Sequence, residues 1–405
     1  MASSPAAVDR ATRLNISDVQ AALKADGVDG WLLYDFRGIN PIAADITAVA
    51  RQEGHLATRR WYYLIPAEGE PRGLVHAIEK NSLAHLPGST ERYAGRDQLE
   101  AGLRTLLRGM RRLAMEYSPR CAIPYVSRVD AGTIELVRQT GVEIVSSGDL
   151  VQQFEAAWTD EQLATHRAAS ESLYRIKDRA FTTAFDAITR ARTLTEYGLQ
   201  QQMVQWFEEE GLVTDSPPVV AVGRNAGDPH YLPSAEQSLA VVADEVLLLD
   251  LWGKKHDAGA VFADITWVAV TSKRAPAEVS RAFRAVADAR DAAVRLVAEA
   301  AREGRDIRGW QVDEAARAVL QDQGYGDRIV HRTGHSLGES VHGNGVHMDD
   351  YETHDDRRLL PGTGFTVEPG LYFESFGVRT EINMYRGERE AIVTGPRQTD
   401  VVTLG

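Results

Sequence analysis

Hydrophobic and polar positions follow two different patterns before and after about residue 153. The first part mixes short apolar runs such as WLLYDF, which are typical of buried strands, with amphipathic stretches such as RDQLEAGLRTLLRGM, which predict helices. Longer helical stretches then begin, with Thr159 as the predicted N-cap of the first and Pro276 in the predicted first turn of a later one. Because 405 residues exceed what one core usually serves, we expect two domains, residues 1–153 and 154–405.

Two aspartates lie at the ends of neighbouring apolar runs in the second predicted domain. Asp250 ends VLLLD, and Asp264 begins DITWVAV after a polar loop that contains GKKHDAG. Runs joined in this way predict an antiparallel hairpin, which can bring the two carboxylates side by side. Asp250 has an alternative explanation as a residue that caps a turn, since aspartate often ends strands. Asp257, in the loop, is a competing candidate for the metal ligand. Asp264 has apolar neighbours, where an unpaired carboxylate would be costly.

A glycine-rich segment, RTGHSLGESVHGNG, contains His335 and, seven residues later, His342. Glycines let backbone come close to a bound ion or substrate. A lone histidine is usually an ordinary surface or core residue, but two histidines in such a segment, followed by carboxylates, favour a functional site.

Two glutamates each lie inside an apolar strand pattern, Glu368 in FTVEPGLYF and Glu381 in GVRTEINMY. Burying a polar or charged group without a partner costs about 2–7 kcal/mol or more, and metal ions are natural partners for carboxylates. An ion pair with Arg379, two positions away on the same strand face, is an alternative explanation for a buried Glu381. If Glu381 binds metal instead, Arg379 is expected to hold the ligand in position.

A family resemblance follows from these segments taken together. The strings LLLDLWG, FADIT, RTGHSLG, VHGNG, TVEPGLY and GVRTE resemble the metal-site segments of the pita-bread metallopeptidases, which include prolidases, Xaa-Pro aminopeptidases and methionine aminopeptidases. The first half is similar to the N-terminal domain of the prolidase, Xaa-Pro aminopeptidase and creatinase branch. The resemblance implies an α/β N-terminal domain followed by an α+β pita-bread catalytic domain.

The resemblance also implies a site with two divalent metal ions, manganese first, with cobalt or zinc as alternatives. Asp250 would bind one ion, Asp264 and Glu381 would bridge both, and His335 and Glu368 would bind the other. A set of four carboxylates and one imidazole suits hard cations of this kind.

Further roles are implied outside the ligand set. Glu368 would also shuttle a proton, and His342 and His230 match histidines that orient the substrate and stabilise developing charge. His354 and Arg379 lie in segments that contribute to substrate binding. Without the resemblance, His230 is typical of an exposed turn.

Two departures from the family pattern stand out. Asp250 and Asp264 are 14 positions apart, which implies a three-residue insertion relative to the common spacing. Ile382 follows Glu381 where prolidases often carry aspartate.

The implied activity is hydrolysis of Xaa-Pro bonds, with an Xaa-Pro dipeptidase favoured and an Xaa-Pro aminopeptidase acting on longer peptides as the alternative. A creatinase-like hydrolase of non-peptide C–N bonds without metals and a non-catalytic binding module are less favoured, because all five ligands are retained.

Composition and charge limit the binding partners and the cellular location that we expect for the protein. The net charge of −13 disfavours nucleic acid and anionic membrane surfaces as partners, and small or neutral substrates fit better. The resemblance implies a proline-containing di- or oligopeptide as the substrate. No apolar run approaches the roughly 18 residues of a membrane span, and the N-terminus lacks a signal-peptide pattern, so we expect a cytoplasmic protein. The resemblance implies a homodimer. Cys121, in the apolar run RCAIPYV, is expected to be a buried thiol in a strand.

Overall fold

The computed structural model of the chain describes residues 14–49 and 58–405. Its contacts separate into two units, Met1–Ala156 and Ala157–Gly405, whereas the sequence pattern places the boundary at residue 153. Residues 1–13, which the signal-peptide prediction depends on, lie outside the described part. Among the described residues, no helix has the length and apolar content that crossing a membrane requires.

The first unit contains both helices and strands. Its described elements are α1 Ile16–Ala25, β1 Gly30–Asp35, α2 Pro41–Ile46, β2 Trp61–Pro66, β3 Arg72–His76, β4 Ser89–Tyr93, α3 Arg96–Leu106, β5 Arg112–Met115, α4 Ala131–Arg138, β6 Glu143–Ser146 and α5 Gly148–Val151. The strands form one sheet in the order β4-β3-β2-β1-β5-β6, in which β1, β5 and β6 are parallel and β2 is antiparallel to its neighbours.

Strand β1 is apolar along nearly its whole length because both faces of the sheet are covered. Trp31 and Leu33 lie in one buried cluster, and Leu32 and Tyr34 lie in another. Such two-sided burial removes the apolar–polar alternation of a half-exposed strand. The predicted α/β arrangement of this unit is confirmed.

The prediction for Cys121 is wrong, because the residue is exposed and lies outside any strand. Two short 3₁₀ turns, Pro119–Cys121 and Pro124–Val126, occupy the segment. Each turn begins with a proline, which lacks a backbone N–H and disfavours a central strand. Those prolines were the sequence signal that argued against a strand.

Four helices and eleven strands, some of two residues, make up the described second unit. They are α6 Asp160–Thr189, α7 Glu196–Glu209, β7 Leu212–Val213, β8 Val219–Val222, β9 Val246–Lys255, β10 Ala263–Val270, α8 Ala277–Glu303, α9 Gly309–Asp322, β11 Ser336–Leu337, β12 Thr363–Val367, β13 Gly370–Tyr372, β14 Gly377–Arg379, β15 Ile382–Arg386, β16 Ala391–Val393 and β17 Val402–Thr403. One sheet has the order β17-β10-β9-β7, with β8 also paired to β9, and a second has the order β11-β12-β15-β16.

The long helices start where the sequence predicts. Thr159 caps α6 through a capping box, since its hydroxyl accepts from the Gln162 N–H at 3.2 Å and the Gln162 side chain accepts from the Thr159 N–H at 3.1 Å. Pro276 is the N-cap of α8, and that helix ends at Gly304, whose φ is 68°.

The two faces of the β9–β10 hairpin have different surroundings. Leu247 and Leu249 lie in a core with residues of α6 and α7, whereas Val246 and Leu248 lie in a second core with residues of α8. On the second face the next side chain along β9 is Asp250. The candidate site therefore begins where that core ends.

Candidate metal centre

The β9–β10 hairpin carries both predicted aspartates on the same face. Asp250 pairs with Thr266 across the ladder, and Asp264 pairs with Trp252. Because side chains alternate along a strand, these four residues share one face and the aspartates are diagonal neighbours. The connection is shorter than the predicted loop, since β9 continues to Lys255.

His335 reaches the hairpin through a close approach of two backbone segments. At Gly334 an added Cβ would lie 2.1 Å from the carbonyl oxygen of Thr366, so this glycine serves packing against β12. The Thr366 hydroxyl accepts a hydrogen bond from the His335 backbone N–H at 2.9 Å. His335 Nδ1 lies 3.1 Å from the Ser336 carbonyl, which can only accept, so Nδ1 carries the proton and Nε2 carries the lone pair.

The lone-pair nitrogen of His335 faces carboxylates. Its Nε2 lies 3.6 Å from Asp264 Oδ2 and 3.4 Å from Glu368 Oε1. Asp264, His335 and Glu381 each offer one ligand atom, and these atoms all lie within 4.8 Å of one another. The three residues are only 5%, 4% and 2% exposed, so the atoms meet in a buried cluster.

Both predicted glutamates lie at breaks in their strands, not inside strands as the sequence pattern suggests. Glu368 follows the end of β12, and Glu381 precedes the start of β15. Glu381 is tied to the hairpin, because its backbone N–H donates to the Thr266 carbonyl at 3.2 Å and its Oε2 accepts from the Thr266 hydroxyl at 2.7 Å. The breaks therefore let both acids turn towards the hairpin.

Two oxygens of the cluster have no hydrogen-bond donor. Asp264 Oδ1 and Glu381 Oε1 are buried and unpaired among the described residues. Burial, followed by the nearby carboxylate of Asp250, raises the pKa of Asp264 well above its usual range. Burial and Asp264 do the same to the pKa of Glu381. A divalent cation would supply the missing positive charge, so these residues fit a metal ion.

Arg379 pairs with Asp250 and not with Glu381, the partner that the sequence leaves open. Its guanidinium forms an ion pair with Asp250 and donates to the Thr266 hydroxyl at 3.0 Å and to the Tyr372 hydroxyl at 3.1 Å. The Arg379 guanidinium is therefore held by side chains of the candidate metal centre and its immediate neighbours.

The remaining two acids have opposite shifts. Burial raises the pKa of Asp250, and Arg379 only partly opposes that effect. Burial also acts to raise the pKa of Glu368, but electrostatic interactions with the neighbouring His335 and Arg379 outweigh it, so the pKa of Glu368 is lowered. Glu368 is therefore the carboxylate of the set that most readily stays ionised.

Of the three other predicted histidines, only His342 contacts the cluster. Its ring lies 4.3 Å from the His335 ring, between centroids, at 74°. Desolvation and the neighbouring His335 lower the pKa of His342 to about 4, although the residue is exposed. His342 is therefore neutral at neutral pH and has one N–H to donate.

His230 and His354 are exposed. The His230 backbone N–H donates to Asp228 Oδ1 at 3.0 Å, and within the described part of the chain the His230 ring makes no hydrogen bond to the cluster. His354 Nδ1 lies 2.6 Å from Asp350 Oδ1, and its ring stacks on Trp310 at 5.5 Å.

Asp257, the competing ligand candidate, lies in the exposed turn between β9 and β10. It is not part of the cluster that Asp264, His335 and Glu381 form. The geometry therefore favours Asp250, which lies on the same strand face as Asp264.

Three contacting residues were missed from the sequence. The Thr266 hydroxyl connects Asp250 Oδ1 at 3.1 Å to Glu381, and its position two residues after Asp264 was an available signal. His331 Nε2 and the Tyr372 hydroxyl are 2.8 Å apart, and no sequence pattern indicates that contact.

Comparisons with known proteins identify related sequences. Residues 169–388, more than half of the chain, match the family model described as metallopeptidase family M24. An Xaa-Pro dipeptidase from Lactobacillus helveticus is 32% identical over 207 residues, which cover 50% of this chain and 51% of that protein. An Xaa-Pro dipeptidase from Lactobacillus delbrueckii subsp. lactis is 28% identical over 234 residues, 58% of each. The chain thus spans about half the length of the curated relatives it matches.

Solved structures resemble nearly the whole chain. The dipeptidase PepE from Mycobacterium ulcerans has a TM-score of 0.70 at 21% identity and covers 98% of this chain and 100% of its own. The prolidase from Pyrococcus horikoshii OT3 has a TM-score of 0.59 at 20% identity, and the match covers 96% of this chain and 99% of that chain. At these identities the likeness shows the fold. It confirms the predicted class, an α/β domain followed by a pita-bread domain.

Proposed function

The chain belongs to metallopeptidase family M24, and from that premise we propose that it is an Xaa-Pro dipeptidase. The observation that carries the proposal is the buried cluster of Asp264, His335 and Glu381, in which two carboxylate oxygens lack a donor. The names of the two Lactobacillus relatives support the choice of substrate. The Xaa-Pro aminopeptidase alternative is supported by a relative named as a putative Xaa-Pro aminopeptidase, at 26% identity over 181 residues.

The proposed cofactor is a pair of divalent ions, manganese first, with cobalt or zinc as alternatives. Asp264 and Glu381 would hold both ions, Asp250 one of them, and His335 and Glu368 the other. Oxygen-rich ligand sets of this kind suit manganese. When bound, such ions lower the pKa of water and polarise a carbonyl group.

The protein's own side chains would handle protons and orientation. Glu368, the carboxylate that stays ionised, would take a proton and deliver it to the leaving nitrogen. His342, neutral and at the open side of the cluster, would donate a hydrogen bond to the substrate carbonyl oxygen. Arg379 would hold Asp250 in place. His230 and His354 are proposed substrate contacts on the strength of the family resemblance alone.

The experiment is a substrate panel with the full chain and added manganese. We expect hydrolysis of an Xaa-Pro dipeptide, no hydrolysis of the matching Xaa-Ala dipeptide, and loss of activity with a chelator. Cleavage of an Xaa-Pro-containing tripeptide only would indicate the aminopeptidase. Hydrolysis of a non-peptide C–N bond without metal would indicate the creatinase-like reaction, and no hydrolysis at all would favour a binding module.

A homodimer and a cytoplasmic location complete the proposal. Both come from the family resemblance. Light scattering of the purified chain tests the dimer, and a monomer at micromolar concentration would contradict it. Fractionation of the source cells tests the location.

A further inference from the structure

A short segment between β7 and β8 crosses the edge of the β9–β10 hairpin beside the candidate metal centre. Val213, in β7, pairs with Lys254 near the end of β9, and Val219, at the start of β8, pairs with Asp250. Residues 214–218 therefore pass the part of β9 between those two rungs. Trp252 lies in that part.

Trp252 links this segment to the strand face that carries the aspartates. Its partner across the ladder is Asp264, and it shares a face with Asp250 two residues earlier. The indole packs in an apolar cluster with Phe262, and its Nε1–H donates a hydrogen bond of 2.7 Å to Asp215 Oδ1. One oxygen of the Asp215 carboxylate is therefore fixed by a residue that borders the metal centre.

Asp215 is exposed, and its Oδ1 accepts the Trp252 hydrogen bond. In the part of the chain that the structure describes, no hydrogen bond or ion pair involves Asp215 Oδ2.

A fixed and accessible carboxylate at this position is complementary to a cation. Asp215 lies outside the five proposed metal ligands, so bound metal ions leave its charge available. In an Xaa-Pro peptide the residue before the scissile bond supplies the cation, as its α-ammonium group or as a lysine or arginine side chain. A merely structural role would need only a hydrogen-bond acceptor for Trp252, which asparagine also provides.

We propose that Asp215 is a specificity-determining residue that binds the positively charged group of the substrate's N-terminal residue. Trp252 is its positioning residue. This inference rests on the proposed Xaa-Pro peptidase function and assigns part of the substrate recognition at that site.

The test compares Asp215→Asn with wild type on Ala-Pro, Lys-Pro and Glu-Pro in the manganese-loaded full chain. Asparagine keeps the acceptor for Trp252 and removes the charge. We expect KM to rise about threefold to tenfold with kcat nearly unchanged, because a contact between partly exposed charges contributes only a small to moderate free energy of binding. The rise should shrink at high salt, because salt screens exposed charges. Asp257→Asn removes the same charge from the exposed hairpin turn and should leave KM unchanged.

The three substrates distinguish the two sources of the cation. An equal rise in KM for all three supports binding of the α-ammonium group, and a rise for Lys-Pro alone supports binding of the side chain. Unchanged KM values in Asp215→Asn, an equal rise in Asp257→Asn, or a fall in kcat without a change in KM would overturn the inference.

A second variant tests the positioning role of Trp252. Trp252→Phe removes the N–H donor while keeping an aromatic ring in the apolar cluster. We expect a smaller rise in KM for the same substrates that Asp215→Asn affects, and no rise would remove Trp252 from the proposal. If wild type hydrolyses none of the Xaa-Pro peptides, the proposed function itself fails, and that result precedes any comparison of variants.

Discussion

Two buried carboxylate sites, one in each unit, show what separates a structural acid from a candidate metal ligand. In the first unit, Glu116 is 0% exposed and accepts from Trp31 Nε1 at 2.7 Å, Asn40 Nδ2 at 2.8 Å and Ser147 Oγ at 3.0 Å. Burial raises its pKa, and the three donors oppose the rise. Both oxygens of Glu116 are therefore satisfied by neutral groups.

In the second unit, Asp264 and Glu381 are nearly as buried, but each has an oxygen without a donor. After burial, the largest contributions to their raised pKa values come from other carboxylates. Burial and a raised pKa are thus common to both sites. What differs is the supply of hydrogen-bond donors, and the site that lacks them is the one that fits a cation.

The largest expected effect is on catalysis. Asp264→Asn should lower kcat/KM on an Xaa-Pro dipeptide by roughly 100-fold to 1000-fold, the scale of losing one group that stabilises transition-state charge. It should also weaken manganese binding, measured by titration calorimetry. Glu116→Gln is the matched control. Because Glu116 is not part of the metal centre, this variant should change kcat/KM by less than about twofold, far below the roughly 100-fold cost of losing a group that stabilises transition-state charge. Equal losses in both variants would mean that the donor supply does not distinguish the two sites.

The second expected effect is on stability, and here the larger loss is expected for the Glu116 variant and not for the Asp264 variant. Glu116→Ala should lower the free energy of unfolding by roughly 3–5 kcal/mol, because three buried donors lose their acceptor. Asp264→Asn in metal-free protein should not destabilise, since the amide supplies N–H groups near Glu381 and removes a repulsive charge. Urea unfolding of the metal-free proteins measures both. Glu116→Gln, with a smaller loss, serves if Glu116→Ala fails to fold.

The smallest expected effect extends the comparison to a buried base. His166 is 0% exposed and satisfied on both nitrogens, with the Phe262 carbonyl at 2.8 Å and the Thr394 hydroxyl at 2.7 Å. Burial lowers its pKa from 6.5 to about 4. Between those values the unfolded chain binds the extra proton, so stability should fall as pH drops from 6.5 towards 4, by up to about 3 kcal/mol.

The measurement is the pH dependence of urea unfolding, with His166→Gln as the comparison. Glutamine keeps a donor and an acceptor but does not titrate, so its stability should depend less on pH in that range. Parallel pH profiles for the two proteins would contradict the assignment of the slope to His166.

Much of the fold follows from the chain's own pattern, and the errors have identifiable causes. Two-sided burial made β1 an unbroken apolar run, and Thr159 and Pro276 marked the starts of α6 and α8. The strand predicted around Cys121 does not form, because Pro119 and Pro124 lie on either side of it and each begins a 3₁₀ turn. Glu368 and Glu381 are predicted inside strands, but each lies at a strand break, which the apolar residues around them do not mark.

By itself the sequence determined the kinds of donors available, the hairpin that presents Asp250 and Asp264, and the family that the segments resemble, because these depend on local periodicity and on short motifs. Tertiary structure decided which groups meet. Arg379 pairs with Asp250 from 129 positions away, and Thr266 bonds Glu381 from 115 positions away. Asp215 meets Trp252 because β7 and β8 both pair with β9. Such contacts depend on strand register and packing between distant segments, which no local pattern in a single chain specifies.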